Sequence, residues 1–223
     1  MRILFRIGAL ALLPLLMASC LTIEESYLFK RNGSGSMTYT LDMSEMASLL
    51  KMSQESEDAE DPTEEMGFEA EADRLSSLSG ISGVKANSDK DKYIFSVSFK
   101  FASLDALNAA LTELILNDEE GSQPVHEFFR MENNAIIATH RMKGNPLTGS
   151  ELMGDDEESE QAASFLESMK YKKHFTFAST VQTVYSGSDA SIEGKKDREL
   201  HLESNFRQLM EDGEALNASI VLK

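Results

Sequence analysis

Residues 93–101, Tyr-Ile-Phe-Ser-Val-Ser-Phe-Lys-Phe, have the clearest secondary-structure pattern in the chain. Large apolar side chains occupy every second position, and the positions between them are mostly small or polar. Because the side chains of a strand point alternately to its two faces, this pattern predicts a β-strand with one aromatic-rich buried face. The strand therefore indicates a sheet with its core on one side.

The residues on either side of this strand predict a hairpin before it and a helix after it. Residues 83–87 are expected to form the partner strand, with residues 87–91 as the turn. Ser103 is expected to cap the helix, because its hydroxyl can accept a hydrogen bond from a free backbone N–H group. The helix carries leucines at spacings of three, four and three, which form one stripe: Leu104, Leu107, Leu111 and Leu114.

A second hairpin is predicted near the start of the chain. It joins residues 22–31 to residues 36–41 through an Asn-Gly-Ser-Gly turn, in which both Asn32 and Gly33 are expected to adopt positive φ. Ser44 is then expected to cap another helix. The apolar residues predicted to lie on that helix are Met46, Leu49 and Leu50.

The order of the remaining elements predicts the fold class. The further predictions are a hairpin of residues 126–131 and 135–142 turned at Asn133 and Asn134, helices 156–169 and 205–211, and strands 174–178, 180–185, 190–193, 200–203 and 216–222. Many of these strands are joined by turns too short for a parallel crossover, which argues against a doubly wound fold. We therefore expect an α+β fold, with an antiparallel sheet built from hairpins and packed helices in a single domain after a cleaved signal peptide.

The first twenty residues have the anatomy of a secretory signal peptide. Arg2 and Arg6 precede an apolar run at residues 7–18. That run is too short for a stable membrane span, which needs about 20 apolar residues. Ordinary secretion with a buried free cysteine is one interpretation of this segment.

The end of the segment, Leu16-Met17-Ala18-Ser19-Cys20, resembles a bacterial lipobox. The resemblance implies cleavage between Ser19 and Cys20, so that residues 1–19 are the signal peptide and residues 20–223 the extracytoplasmic domain. It also implies a diacylglycerol on the only cysteine, Cys20, with a further acyl chain such as palmitate on its amine, which is enough for stable anchoring. Leu21 stands where an aspartate retains some lipoproteins at the inner membrane, and this favours the outer membrane.

Other stretches resemble envelope lipoproteins of the Bacteroidota. They are residues 29–37, residues 41–44, residues 101–111 and the closing strand-rich segment. The layout is also faintly similar to that of mycobacterial envelope lipoproteins with an α/β domain thought to bind lipid. Neither resemblance assigns a catalytic residue to this sequence.

The net charge of −17 comes from 21 Lys and Arg against 38 Asp and Glu. Such a balance argues against a nucleic-acid partner, because phosphate binding needs clustered basic residues. Many of the acids lie in two segments, near residues 54–73 and 151–160. We expect these segments to be mobile, because their like charges repel one another. Calcium binding by these segments stays open.

No motif for catalysis or for a cofactor is found. The sequence has no His-Glu-x-x-His pair, no Gly-x-Ser-x-Gly elbow and no phosphate-binding loop. The four histidines are expected to have local partners and no metal, although His140 could face His126 across the predicted hairpin; the other two are His174 and His201. A carboxylate pair stays open as well, but none stands out.

These observations favour a lipid-anchored bacterial envelope lipoprotein with a non-enzymatic binding or structural role. Its expected partners are the membrane, through the anchor, and either an apolar ligand or an envelope protein. A binding role predicts an apolar cavity between sheet and helices. The alternative is an envelope hydrolase with catalytic residues scattered in the sequence, and it predicts a polar cleft where a histidine meets a carboxylate and a hydroxyl.

Overall fold

The computed structural model describes residues 21–48, 67–116, 124–141, 157–187 and 192–223, with the backbone alone for residues 157–162. The strands are β1 (Thr22–Phe29), β2 (Gly35–Asp42), β3 (Ile81–Asp89), β4 (Ile94–Phe101), β5 (Phe129–Glu132), β6 (Ala135–Ala138), β7 (Lys170–Phe177), β8 (Val181–Ser186), β9 (Ile192–Lys196), β10 (Glu199–Asn205) and β11 (Ala218–Leu222). The helices are α1 (Glu69–Ser76), α2 (Leu104–Leu111), α3 (Glu157–Ser168) and α4 (Phe206–Glu211). Ser19, Cys20, the positions predicted for Leu49 and Leu50, and most of both acidic segments lie outside the described residues.

The α+β class is confirmed, with two sheets in place of one. The larger sheet has the strand order β3-β4-β2-β1-β7-β10-β9, and the smaller has the order β5-β6-β11-β8. The described strand pairs are antiparallel except for β1 and β7, which run parallel over residues 22–29 and 170–177. The predicted hairpins are therefore present, and a long-range parallel pair joins the first part of the chain to the last third.

Aromatic rings join the two sheets in the core. Tyr27 of β1 stacks on Phe175 of β7 with ring centroids 5.3 Å apart, and Phe29 stacks on Phe177 at 5.6 Å. Phe129 of the smaller sheet packs edge-on against Tyr27 at 5.0 Å. Such pairs add about 0.5–1.5 kcal/mol each beyond the burial of their area. The parallel pair β1–β7 thus forms the centre of the core.

The aromatic alternation of residues 93–101 is confirmed, but the turn before it is displaced. The five alternating side chains are all at most 3% exposed. However, β3 continues to Asp89, so the turn occupies residues 90–93 and not the predicted 87–91. Tyr93 belongs to this turn, with φ of 57°, while its ring is still buried. The turn moves because cross-strand pairing continues through Asn87 and Ser88, which short-range turn preferences do not exclude.

One of the two predicted helix caps is present. Ser103 accepts a hydrogen bond from the Ala106 N–H group at 3.2 Å, as predicted. Among the described residues, the Ser44 hydroxyl accepts no capping hydrogen bond, and the Ser44 N–H group instead donates to Asp42 Oδ1 at 2.9 Å. This bond closes a turn between Asp42 and Ser44. Ser44–Met46 then forms a 3-10 helix, and Ala47 and Ser48 continue in helical conformation up to the end of this described range.

The first hairpin turn also differs from the prediction. Phe29 pairs with Gly35, so the connection is five residues long. Gly33 has φ of 78°, whereas Asn32 has no positive φ. Asn32 instead uses its side chain, whose Oδ1 atom accepts hydrogen bonds from the backbone and hydroxyl of Ser34. The third hairpin is shorter than predicted and turns at Asn133 with φ of 56°.

The ends of the acidic segments that the structure describes are helical. Residues 69–73 begin α1, and residues 157–160 begin α3. Acidic side chains in a first helical turn interact favourably with the positive end of the helix dipole. Within the described ranges, no helix is long and apolar enough to cross a membrane.

Candidate functional site

An open pocket of about 460 Å³ lies where the two sheets meet, and we call it the junction pocket. It is bordered by the end of β1 and its turn, the start of α2, the β5–β6 hairpin, the residues after β7, and the end of β11. The lining residues are Phe29, Lys30, Arg31, Gly33, Leu104, Met131, Asn133, Asn134, Ile136, Ala178, Ser179, Leu222 and Lys223. Its volume falls in the range of small-molecule sites.

Backbone hydrogen bonds fix the edges of the junction pocket. The Ala178 N–H group donates to the Phe29 carbonyl at 2.9 Å, which joins the ends of β1 and β7. The Asn134 side chain donates to the Leu222 carbonyl at 2.8 Å, and the Leu222 N–H group donates back to the Asn134 carbonyl. These bonds join the hairpin to β11. The pocket is therefore preformed by main-chain structure on several sides.

The junction pocket combines an apolar wall with a basic rim. Lys30, Arg31 and Lys223 are exposed, and none of the other lining residues is acidic. Among the described residues, the side chains of Lys30 and Arg31 form no ion pair. In a chain with a net charge of −17, this rim is a local cluster of positive charge beside apolar surface. Sequence reasoning missed it, because its residues come from five separate segments.

A second, more polar pocket contains two of the predicted histidines, and we call it the histidine pocket. His126 and His140 both line it, so the structure brings together the pair that the hairpin pattern suggested. The other lining residues are Glu127, Thr139, Arg141, Leu209, Gly213, Glu214 and Asn217, around a volume of about 580 Å³. A histidine, a carboxylate and a hydroxyl therefore share one cleft.

The groups of the histidine pocket do not form a nucleophile and base. The Thr139 hydroxyl donates to the Glu127 carbonyl at 2.8 Å. His140 is buried, and neither of its ring nitrogens has a hydrogen-bond partner in the described structure. Burial, followed by the nearby Lys173 ammonium group, holds the pKa of His140 well below its ordinary value. His140 is therefore a neutral, buried ring that packs edge-on against Tyr171 at 4.6 Å.

Behind His140 lies a buried polar cluster that the sequence analysis did not identify. Glu25 of β1 and Lys173 of β7 are opposite each other in the parallel register, with Oε2 and Nζ 3.3 Å apart. Tyr27 donates its hydroxyl to Glu25 Oε2 at 2.7 Å, and Tyr171 donates to Glu25 Oε1. Glu25 and Lys173 are each 1% exposed.

The side chains of the buried cluster bond to one another and are shielded from solvent. Desolvation, and then the charge of Glu25, raise the pKa of Tyr27 and of Tyr171 well above the ordinary value. Both hydroxyls therefore remain neutral donors to the carboxylate. A signal for this cluster was present in the sequence, since Glu25 and Lys173 interrupt the apolar alternation of their strands. The arrangement binds two strands together and leaves no group exposed for chemistry.

His174 and His201 lie elsewhere, opposite each other on β7 and β10. Across the described part of the chain, no group of three or more His, Cys, Asp or Glu side chains is arranged to hold a metal ion. The lipidation residue Cys20 and its neighbour Ser19 lie outside the described residues, so the lipobox stays a prediction.

The sequence matches no protein-family model and no curated protein. Among solved structures, the NMR structure of the folded domain of the Mycobacterium tuberculosis LppM protein is similar to this chain with a TM-score of 0.39 and 9% sequence identity. The match covers 92% of this chain and 89% of that one. A similarity of this size carries no information about ligand or activity to the present chain.

Proposed function

We propose that this chain is a lipid-anchored protein of the bacterial envelope that binds an anionic amphiphile in the junction pocket and catalyses no reaction. The observation that carries the proposal is the basic rim around an apolar wall in a strongly acidic chain. An apolar tail gains about 0.8 kcal/mol for each buried methylene group. A carboxylate or phosphate head would accept charge-assisted hydrogen bonds from Lys30 and Arg31.

The proposed anchor would tether the domain to a membrane just before the start of β1, whereas the junction pocket lies at the other end of this strand. The lipobox residues Leu16 to Cys20 support lipidation at Cys20, and Leu21 supports the outer membrane. The resemblance to Bacteroidota lipoproteins belongs to the same proposal. Replacing Cys20 with serine should release the protein from the membrane fraction and abolish labelling by a palmitate analogue, whereas unchanged fractionation would contradict the anchor.

The ligand proposal is tested with a fluorescent long-chain fatty acid and its methyl ester, titrated into the purified protein. The acid should bind, and the ester should bind about tenfold more weakly, because the loss of the charge removes a charge-assisted hydrogen bond. Arg31→Glu should weaken binding of the acid by a similar factor and leave binding of the ester almost unchanged. Lys85→Glu is the matched control, since it makes the same change of charge at an exposed site on β3 that does not line the pocket.

A second variant tests the apolar wall. Leu104→Asp places a carboxylate at the first residue of α2, where a helix tolerates an acid because of its dipole. The variant should fold and lose binding of both acid and ester. Equal affinity for acid and ester in the wild type, or equal losses in the Arg31 and Lys85 variants, would contradict the proposal.

An envelope hydrolase is the alternative function, and its chemistry would belong to the histidine pocket. The observation in its favour is the meeting of His140, Glu127 and Thr139 in one cleft. The engaged hydroxyl and the buried neutral imidazole count against it. We therefore keep binding as the proposed function.

A further inference from the structure

His174 and His201 form a cross-strand pair on the larger sheet. They occupy opposite positions in the antiparallel register of β7 and β10, and their ring centroids are 4.5 Å apart. Their strand neighbours Lys173, Phe175 and Leu202 are buried, so the two imidazoles belong to the opposite, outer face of the sheet. The His201 side chain is 34% exposed. The pair is therefore accessible, unlike His140.

The charges around this pair are mainly negative. Glu199 Oε2 lies 3.9 Å from His201 Nε2 on the same strand. Glu24 from β1 and Glu193 from β9 both act electrostatically on His174, and Lys172 opposes them. Lys196 Nζ also lies 3.6 Å from the same Glu199 oxygen. Three carboxylates against two ammonium groups still favour a cation at this place.

The sheet leaves room beside the pair. Gly194 of β9 lies opposite His201, and a Cβ atom added there would be 3.8 Å from His201 Cδ2. The absence of a side chain at this position keeps the flank of the His201 ring open. The strand pairing also shifts between His201 and Leu202, and such irregularities re-aim side chains at sheet edges.

We propose that His174 and His201 together bind a divalent transition metal ion, such as Zn²⁺, Ni²⁺ or Cu²⁺, on the outer face of the larger sheet. Opposite residues in antiparallel strands have Cβ atoms about 4.5–5.5 Å apart, so small rotations of both rings can aim one nitrogen of each at a shared point about 2.0–2.1 Å away. Water molecules fill the other coordination positions, since no third described His, Cys, Asp or Glu side chain is placed to act as a ligand. This site is independent of the junction pocket.

The spacing of the two rings suits a shared metal ion. Imidazole binds metals in its neutral form, whereas two protonated rings at this distance would repel each other.

The test is a calorimetric titration of the purified, untagged chain with Zn²⁺, Ni²⁺ and Cu²⁺ in the presence of excess Mg²⁺. Magnesium occupies carboxylate sites in the acidic segments and leaves imidazoles free. The wild type should bind one ion, and His174→Gln and His201→Gln should each weaken binding by about tenfold or more. His126→Gln is the matched control and should bind like the wild type.

Spectroscopy separates loss of ligands from loss of folding. Electron paramagnetic resonance of the Cu²⁺ complex should show two nitrogen ligands in the wild type and one in each variant, while circular dichroism stays unchanged. Stoichiometric binding that is equal in the wild type and both variants would overturn the proposal, and so would the lack of any stoichiometric binding to the wild type.

Discussion

Lys173 places an ammonium group within the aromatic core, where its partner is the equally buried carboxylate of Glu25. Two tyrosine hydroxyls donate to the same carboxylate, so each of its oxygen atoms accepts a hydrogen bond. Burying two charges costs several kcal/mol per ion, and good geometry only offsets this cost. The pair is therefore weak evidence of added stability. Loss of either side chain, however, would leave the charge of the other buried and unpaired.

Removing one member of this pair should be far more harmful than removing both. Lys173→Met should lower the free energy of unfolding by about 3–5 kcal/mol, because Glu25 is left as an uncompensated buried charge. The double variant Glu25→Gln with Lys173→Met removes both charges and keeps an acceptor for the tyrosines, so it should recover most of this loss. Urea denaturation measures both values.

Arg207 provides the control for that experiment. Its ion pairs with Glu167 and Glu211 are exposed, so Arg207→Met should cost at most about 1 kcal/mol. A cost for Lys173→Met as small as for Arg207→Met would show that the buried pair is not coupled.

His140 should make stability depend on pH in a defined direction. Its pKa in the folded protein lies well below the ordinary value of 6.5, because of burial and then Lys173. As the pH falls through 6.5, the His140 imidazole of the unfolded chain therefore takes up a proton, whereas that of the folded protein stays neutral. The contribution of His140 to stability is complete above this pH and is lost as the pH falls below it. One such proton changes the free energy of unfolding by about 1.4 kcal/mol per pH unit.

The measurement is urea denaturation between about pH 7.5 and about pH 5.5. His140→Phe keeps a ring against Tyr171 and should flatten the pH dependence, whereas His126→Phe should change it less because His126 is only partly buried. An unchanged slope in the His140 variant would contradict this account.

At the residue scale, the sequence analysis identified the apolar alternation of one strand but missed the two charged residues that interrupt the alternation of β1 and β7. The alternation in residues 93–101 predicted five buried side chains correctly. Glu25 and Lys173 are separated by more than a hundred residues, so their pairing depends on a strand contact that local patterns do not encode.

At the scale of elements, α2 is attached to the smaller sheet through a buried side chain. Asn108 donates to the Phe129 carbonyl at 2.8 Å and accepts from the N–H groups of Phe128 and Phe129 at 3.1 and 2.8 Å. Thr112 continues this contact, since its hydroxyl accepts from the His126 N–H group at 2.8 Å. The helix therefore holds the segment that enters β5.

Asn108→Leu should uncouple α2 from β5. The substitution keeps a similar volume but removes three hydrogen bonds from buried main-chain groups, which should cost about 2–4 kcal/mol in the free energy of unfolding. Amide hydrogen exchange at Phe128 and Phe129 should become faster. Asn87→Leu, at an exposed position of β3, should change stability by less than about 0.5 kcal/mol. Equal effects of the two variants would contradict the role of Asn108.

The elements themselves were largely predictable, and their boundaries less so. The cap at Ser103 follows from local chemistry and was correct. The cap at Ser44 was wrong, because the turn is closed one step earlier, by the Asp42 carboxylate that accepts from the Ser44 N–H group. Asn108 lies among the leucines of the α2 stripe, and a polar residue on an apolar stripe was the available signal for its buried role.

At the scale of the whole molecule, the sequence predicted the α+β class but not the division into two sheets. Hairpins are local, so their turns and alternation appear in the sequence. The junction pocket and the parallel pair depend on segments that are distant in the chain, and no short pattern brings them together. The anchor at Cys20 and the outer-membrane location stay predictions at this scale.

The parallel pair β1–β7 has a consequence for the order of folding. Glu25 and its hydrogen-bonding partner Tyr171 are 146 positions apart. Closing such a loop costs conformational entropy before any stabilising contact between the two strands forms. The hairpin of β1 and β2 can form early, but one edge of β1 has no partner until residues 170–177 arrive. A chain that crosses a membrane from its N-terminus therefore completes its core only late in translocation, and its first strand depends on its last third.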